Sequence, residues 1–114
     1  MEESKRQELI KGILRSKGNI FDDASDITDL YDIKKNIKNN KMNKYQYTNV
    51  LGIRATQIAL GSQPKIEITS DMESAEQVAE EELRQRKTPF FVAREINKNH
   101  IDLWRVEDME IEAV

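Results

Sequence analysis

Several residue types that carry chemistry are absent or rare in this sequence of 114 residues. There is no cysteine, which excludes disulfides and thiolate metal sites. The single histidine, His100, excludes a metal site or catalytic triad built on several histidines. The four glycines are not clustered, so there is no Gly-rich phosphate-binding loop. We therefore expect no catalytic residues, no metal site and no cofactor.

Long apolar runs and a strong net charge are lacking as well. No run approaches the roughly 20 apolar residues that span a bilayer, and residues 1–12 contain no signal-peptide core after their charges. The net charge of −3 gives no general attraction to nucleic acid. A basic run at residues 34–44 adjoins Tyr45 and Tyr47, but these tyrosines belong to a predicted helix. We expect an intracellular, soluble protein that contacts neither membrane nor nucleic acid directly.

The best-defined stretch is residues 43–61, which carries both a start signal and a stop signal for a helix. Asn43 is a good N-cap, and Gln46, three residues later, completes a capping box. Gly61 supplies the left-handed residue that ends such a helix. Apolar side chains at spacings of three and four share one helical face: Tyr47, Val50, Leu51, Ala55, Ile58 and Ala59.

Two residues of this helix suggest a partner. Arg54 lies on or beside the apolar face, where a charge must pair or reach the surface, and Gln57 lies one turn away. A carboxylate in its own domain and an acceptor on another subunit are both open as its partner. Gly52 costs about 1 kcal/mol relative to alanine in the middle of a helix. It indicates close packing against this face, unless it is only a tolerated weak point.

The C-terminal half predicts three further elements. They are a short strand with Ile66 and Ile68 inward, a helix and an antiparallel hairpin, over residues 65–69, 74–87 and 90–106. Ser74 and Gln77 form a second capping box, and Pro89 stops the helix. The acidic residues 80–82 read as a solvated face of that helix. The fold class is therefore α+β, with two main helices, a short strand and a C-terminal hairpin.

Residues 1–42 predict a flexible N-terminal tail, and residues 43–114 form the predicted folded domain. The tail has one short, marginal helical stripe near residues 2–15, then an acidic segment and a basic one. An alternative is an acidic-aromatic docking segment that folds on a partner. In that reading Phe21 is the anchor, and Asp22 and Asp23 supply the steering charge.

Three motifs appear in the same order as in one protein family and at nearly the same spacing, with one extra residue between Gln57 and Pro64. They are Leu51-Gly52-x-Arg54-Ala55-x-Gln57, then Glu82-Leu83 through Lys87-x-Pro89, and Asp102-x-Trp104-x-Val106-x-Asp108. Over residues 43–111 the chain resembles the small omega/K-type subunit of multisubunit DNA-directed RNA polymerases. That family includes bacterial omega, archaeal subunit K and the common small subunit of eukaryotic nuclear polymerases. Gln46, Asn49 and Ala93 depart from the family pattern.

The resemblance implies an omega/K-like fold and a role in transcription without catalysis. It implies a subunit that clamps the C-terminal region of the largest polymerase subunit, promotes assembly, and meets the other subunits through the complex. The expected subunit interface comprises Leu51, Gly52, Arg54, Gln57, Pro89 and Trp104. No cofactor is implied.

Two other classes of function stay open at this point. One is a free-standing, acidic-tailed interaction adaptor in transcription, and the other is a small enzyme. The location follows the polymerase: the nucleus for a cellular eukaryotic subunit, and the host cytoplasm or the virion for a virus-encoded one. Abundant Lys, Asn and Ile, with the departures from the family pattern, leave a viral origin as an alternative.

Overall fold

The structure is a computed structural model that describes residues 1–111. Its helices and strands are α1 (Glu3–Lys17), β1 (Ile20–Asp22), α2 (Ser25–Thr28), β2 (Lys41–Met42), α3 (Lys44–Ala59), α4 (Ala75–Arg84), β3 (Phe90–Asn97), β4 (His100–Arg105) and β5 (Glu110–Ile111). Short 3₁₀ helices lie at Ile33–Lys35 and Val106–Asp108. This mixture of helix and strand confirms the predicted α+β class.

The chain divides into two compact units. The first combines Met1–Asn40 with Phe90–Arg105, and the second combines Lys41–Pro89 with the described residues from Val106 onward. Each unit therefore joins two segments that are distant in the sequence.

The first unit is built around a three-stranded antiparallel sheet in the order β1-β3-β4. Apolar side chains from the sheet, α1 and the α2 region form its core: Ile10, Phe21, Ile27, Leu30, Phe91, Ala93, Ile101 and Leu103. The ring centres of Phe21 and Tyr31 lie 6.0 and 5.6 Å from the ring centre of Phe91. Both pairs are tilted, and the distances fall in the range that favourable aromatic pairs adopt. This core fixes α1 on the sheet.

The β3–β4 hairpin is confirmed, with Val92 opposite Trp104 and Arg94 opposite Asp102. Its turn falls at the predicted place, where the Asn99 N–H donates to Asn97 Oδ1 at 2.8 Å. An irregularity next to the turn shifts the register of the two strands, as an extra residue in one strand of a hairpin does.

The N-terminal segment differs from the predicted tail. In the structure α1 runs the full length of Glu3–Lys17, Ile10 is fully buried, and β1 extends the hairpin sheet. The prediction rested on the lack of one continuous apolar stripe. The segment instead contributes a few apolar residues from each of several elements to the core. The rest of this core comes from residues 90–105. Flexibility of residues 1–42 in solution stays a prediction. In the structure, α1 and β1 pack and pair with residues 90–105.

The second unit contains α3 and α4, which pack against each other. Both predicted capping boxes are present, at Asn43–Gln46 and Ser74–Gln77. Gly61 has a φ of 110° and ends α3 as predicted. Its N–H donates to the Ile58 carbonyl at 3.0 Å, and the next N–H, of Ser62, donates to Gln57 at 2.9 Å. This pair of bonds is the Schellman pattern of helix ends.

Helix α4 ends earlier than predicted, at Arg84. The N–H groups of Arg86 and Lys87 close it in the same pattern, by donating to the carbonyls of Leu83 and Glu82. Arg86 therefore occupies the left-handed position, with a φ of 58°. Glycine usually fills this position, so the sequence gives no warning of the end.

The predicted short strand at residues 65–69 is not formed. A strand needs a partner for its backbone, and the Lys65 N–H donates instead to the carboxylate of Glu82 at 2.8 Å. Ile68, predicted to point inward, is 53% exposed. The second unit has a different pairing, a short parallel one between β2 and β5.

Candidate functional site

A buried ion pair joins the two helices of the second unit. Arg54 on α3 donates from Nε to Glu82 Oε1 at 2.6 Å and from Nη2 to Oε2 at 2.9 Å. The side chains of Arg54 and Glu82 are 5% and 0% exposed. Two parallel hydrogen bonds of this kind are the strongest geometry that an arginine and a carboxylate can adopt.

The remaining donors and acceptors of the pair also have partners. Arg54 donates to the Gln57 side chain at 3.0 Å and to the Gln63 carbonyl at 3.1 Å, while Glu82 accepts the Lys65 N–H. The pair thus ties the loop after α3 to both helices. Of the two partners that the sequence left open for Arg54, the structure supplies the one within the chain.

Glu82 was not predicted as a site residue because it belongs to an acidic run. The spacing of Glu82 from the apolar residues of α4 nevertheless indicates that its side chain is buried. Glu82 follows Val78 by four residues and Ala79 by three, so it shares the apolar face of α4. A carboxylate on that face needs a buried cation, and Arg54 is the cation.

The outer face of α3 carries a shallow groove of about 430 Å³. It is lined by Thr48, Asn49, Gly52, Ile53, Thr56 and Gln57. None of these six residues is charged, in a chain that is 34% charged. Ile53 remains 41% exposed, and Leu60, the residue that follows α3, is 84% exposed. We name this surface the α3 groove.

Gly52 lies in the α3 groove. A Cβ atom added at Gly52 would meet no atom within 4 Å among the described residues. The close packing that the sequence indicated is therefore not supplied within the described part of the chain. Room for a Cβ remains, yet the position holds glycine, which is less favourable in a helix than every residue except proline.

The other residues of the predicted interface lie in different settings. Leu51 and Pro89 are half-buried in the second unit. Trp104 belongs to the first unit and is only 6% exposed, with the Arg94 guanidinium 5.9 Å from its ring centre. Its buried indole N–H has no acceptor among residues 1–111. Of the predicted set, Leu51, Gly52, Arg54 and Gln57 lie on α3, where Gln57 both accepts from Arg54 and lines the α3 groove with Gly52.

Phe21, predicted as a docking anchor, has a structural environment within the chain. It is 5% exposed and lies opposite Phe91 in the sheet. Asp22 and Asp23 follow it at the surface, where Asp23 accepts the Thr28 hydroxyl at 2.9 Å. In this conformation Phe21 stabilises the core and offers no exposed surface to a partner.

Five ionisable groups have pKa values displaced by their surroundings. A hydrogen bond from Thr69 lowers the pKa of Asp71, and the hydrogen bond to Glu81 raises the pKa of Arg84. Burial raises the pKa of Tyr47, and the nearby Glu80 carboxylate adds to the rise. Hydrogen bonds from Arg84 and Gln85 lower the pKa of Glu81. Burial lowers the pKa of Arg94 from its ordinary value, against the opposing effect of Asp102. These shifts follow from packing and surface pairing: Asp71, Glu81 and Arg84 line one open surface pocket, while Tyr47 and Arg94 lie on α3 and β3.

The described part of the chain offers neither a metal site nor a helix that could cross a membrane. Residues 1–111 contain no cluster of three His, Asp or Glu side chains arranged to hold a metal ion. Within the same range, each helix is too short or too polar to cross a bilayer.

Comparison with known proteins gives one family and several relatives. The RNA polymerase Rpb6 family matches residues 36–90. The chain is 33% identical over 70 residues to the Caenorhabditis briggsae protein named "Probable DNA-directed RNA polymerases I, II, and III subunit RPABC2". It is 34% identical over 71 residues to "DNA-directed RNA polymerases II and V subunit 6B" of Arabidopsis thaliana. These alignments cover 61% and 62% of this chain, and 50% and 49% of the relatives, so the chain spans about half the length of these eukaryotic proteins.

An archaeal relative is matched over most of its length. The chain is 33% identical over 79 residues to "DNA-directed RNA polymerase subunit Rpo6" of Sulfolobus acidocaldarius. This alignment covers 68% of the chain and 86% of the relative.

Proposed function

This chain belongs to the RNA polymerase Rpb6 family, and we propose that it is a non-catalytic small subunit of a DNA-directed RNA polymerase. The observation that carries the proposal is the alignment with archaeal Rpo6, which covers 86% of that subunit. The chain is located with its polymerase and acts in transcription through the complex, without an active site of its own.

The proposed role is to hold the C-terminal region of the largest subunit and so to promote assembly. The α3 groove supports this role because the cores of protein interfaces are depleted in charge. Ile53 and Leu60 provide exposed apolar area at the groove and beside it, and such area on a soluble protein marks a contact surface. Gly52 allows a partner backbone to come close to the helix, since it has no side chain to displace.

The Arg54–Glu82 pair supports the groove indirectly. Its hydrogen bonds hold α3, α4 and the intervening loop in one arrangement, and a rigid surface loses less conformational entropy when a partner binds. Leu51, Arg54 and Gln57 therefore shape the proposed interface, while Gly52 faces the partner. Pro89 and Trp104 stay in the proposal as separate predicted contacts with the largest subunit.

Photo-crosslinking of the complete polymerase tests this assignment. A crosslinker at Thr56, inside the α3 groove, should capture the C-terminal region of the largest subunit. The same crosslinker at Glu80, exposed on α4, is the matched control and should capture it far less. Capture of the largest subunit at both positions alike would contradict the docking surface. Elution of the tagged chain outside the polymerase would favour the free-standing adaptor instead.

A further inference from the structure

The outer edge of β4 is covered by two side-chain amides. Gln7 on α1 accepts the Ile101 N–H at 2.7 Å and donates to the Ile101 carbonyl at 3.2 Å. Asn36 accepts the Leu103 N–H at 3.0 Å and donates to the Leu103 carbonyl at 2.8 Å. Each amide therefore satisfies the two backbone groups that a residue of a neighbouring strand would satisfy.

These amides are held in place by further bonds. Gln7 is 5% exposed and also donates to Glu3 at 3.2 Å. The two residues after Asn36 donate their N–H groups to the buried Asp102 carboxylate, at 2.8 Å each. The cover is thus a fixed part of the first unit.

The opposite edge of the hairpin is covered by ordinary strand pairing. β1 pairs with β3, and the Ala93 N–H donates to the Asn19 carbonyl at 2.8 Å. The Asn19 side chain adds a bond to the Ala93 carbonyl at 3.2 Å. Met1–Asn40 therefore closes both edges of the hairpin, with backbone on one side and side chains on the other.

An uncovered strand edge pairs readily with another strand, and proteins block such edges to prevent it. We propose that Gln7 and Asn36 block the outer edge of β4. When this edge is exposed, it pairs with β4 of a second copy of this chain. Antiparallel pairing suits two identical strands, because a two-fold axis relates them and the same edge of each copy is used.

Charge and register favour a second copy as the occupant. With Leu103 opposite Leu103 of the second copy, Ile101 faces Arg105 and Asp102 faces Trp104. In this register no like charges lie directly opposite each other. Like charges at opposite positions would destabilise the pair. Leu103 and Ile101, whose backbone groups point to the outer edge, provide the hydrogen bonds in this register.

The test is the association state of the full chain carrying Gln7→Ala and Asn36→Ala. Sedimentation equilibrium should show the wild type as a monomer of 13.3 kDa, and the double variant in a reversible equilibrium with a species of twice that mass. Asn19→Ala is the matched control: it also removes an amide, but β1 still covers that edge, so this variant should stay monomeric. A monomeric double variant at the highest concentrations would overturn the proposal.

Hydrogen exchange measured by NMR separates β4 pairing from any other association. In the double variant, the amides of Ile101 and Leu103 should be protected at high protein concentration and exchange rapidly on dilution. A dimer in which these two amides exchange rapidly has formed through another surface and would refute the proposal. If the double variant does not fold, the wild-type chain in sub-denaturing urea carries the test: local unfolding of Met1–Asn40 exposes the β4 edge, so exchange at Ile101 and Leu103 should slow as the protein concentration rises. Leu103 exchange that is independent of concentration would then refute it.

Discussion

Replacement of Arg54 by alanine should destabilise the protein strongly, whether or not a partner is present. The substitution leaves the Glu82 carboxylate fully buried with only the Lys65 N–H as a donor. Removing one member of a buried ion pair costs roughly 3–5 kcal/mol, because the remaining charge has lost its partner but stays out of water. Total stabilities of small domains are about 5–15 kcal/mol, so this is a large fraction.

The expected loss is visible by thermal and urea denaturation of the isolated chain. For a domain of this size, 1 kcal/mol corresponds to about 4 °C, so the midpoint should fall by roughly 12–20 °C. The control is Arg84→Ala. This substitution breaks another arginine–glutamate pair, Arg84–Glu81, which lies within α4. The Arg84 side chain is 72% exposed, and exposed ion pairs contribute little to stability.

A second substitution shows whether the loss comes from the stranded carboxylate. Combining Arg54→Met with Glu82→Leu removes both charges and keeps the volume apolar, so it should recover much of the lost stability. The reasoning is refuted if Arg54→Ala and Arg84→Ala have similar midpoints. It is also refuted if Arg54→Met/Glu82→Leu is less stable than Arg54→Ala.

Three further predictions concern single contacts. Arg86→Gly should raise the free energy of unfolding by about 1 kcal/mol in urea titrations, because glycine adopts the left-handed φ without strain. Arg84 lowers the pKa of Glu81, so the stability difference between wild type and Arg84→Ala should hold at neutral pH and vanish as the pH falls through that lowered value. Amides around Ile10 should exchange slowly with solvent in the free chain, since α1 is fixed on the core.

Each of these predictions has a result that would contradict it. A loss of stability in Arg86→Gly would show that the arginine side chain matters more than the backbone. A difference between wild type and Arg84→Ala that grows at acidic pH would have the wrong sign for a lowered carboxyl pKa. Complete exchange at Ile10 within the dead time would support the flexible tail instead.

Local signals account for the elements that the sequence predicted correctly. The capping boxes at Asn43 and Ser74 and the glycine at Gly61 act within four residues, so the sequence alone specifies them. The hairpin likewise depends on two adjacent apolar strands and a polar turn. The family resemblance came from motifs in the same region, and the comparisons confirm it.

Contacts between distant segments account for what the sequence did not predict. Gln7 binds Ile101 across 94 positions and Asn36 binds Leu103 across 67, and no local pattern marks an amide for such a role. The end of α4 was missed because Arg86 occupies a position typical of glycine. The buried state of Glu82 was hidden by its acidic neighbours, although its spacing from Val78 was informative.

The most direct test of the proposed subunit role is competition between wild type and Gly52→Gln for incorporation into the polymerase. A Cβ atom at this position meets no atom within 4 Å outside its own helix among the described residues, and glutamine is a better helix former, so the free variant should be more stable by about 0.5–1 kcal/mol. It nevertheless fills the α3 groove. The account predicts that the variant is depleted from purified polymerase relative to wild type, while Glu80→Gln is incorporated normally. Equal incorporation of Gly52→Gln and wild type would contradict docking through α3.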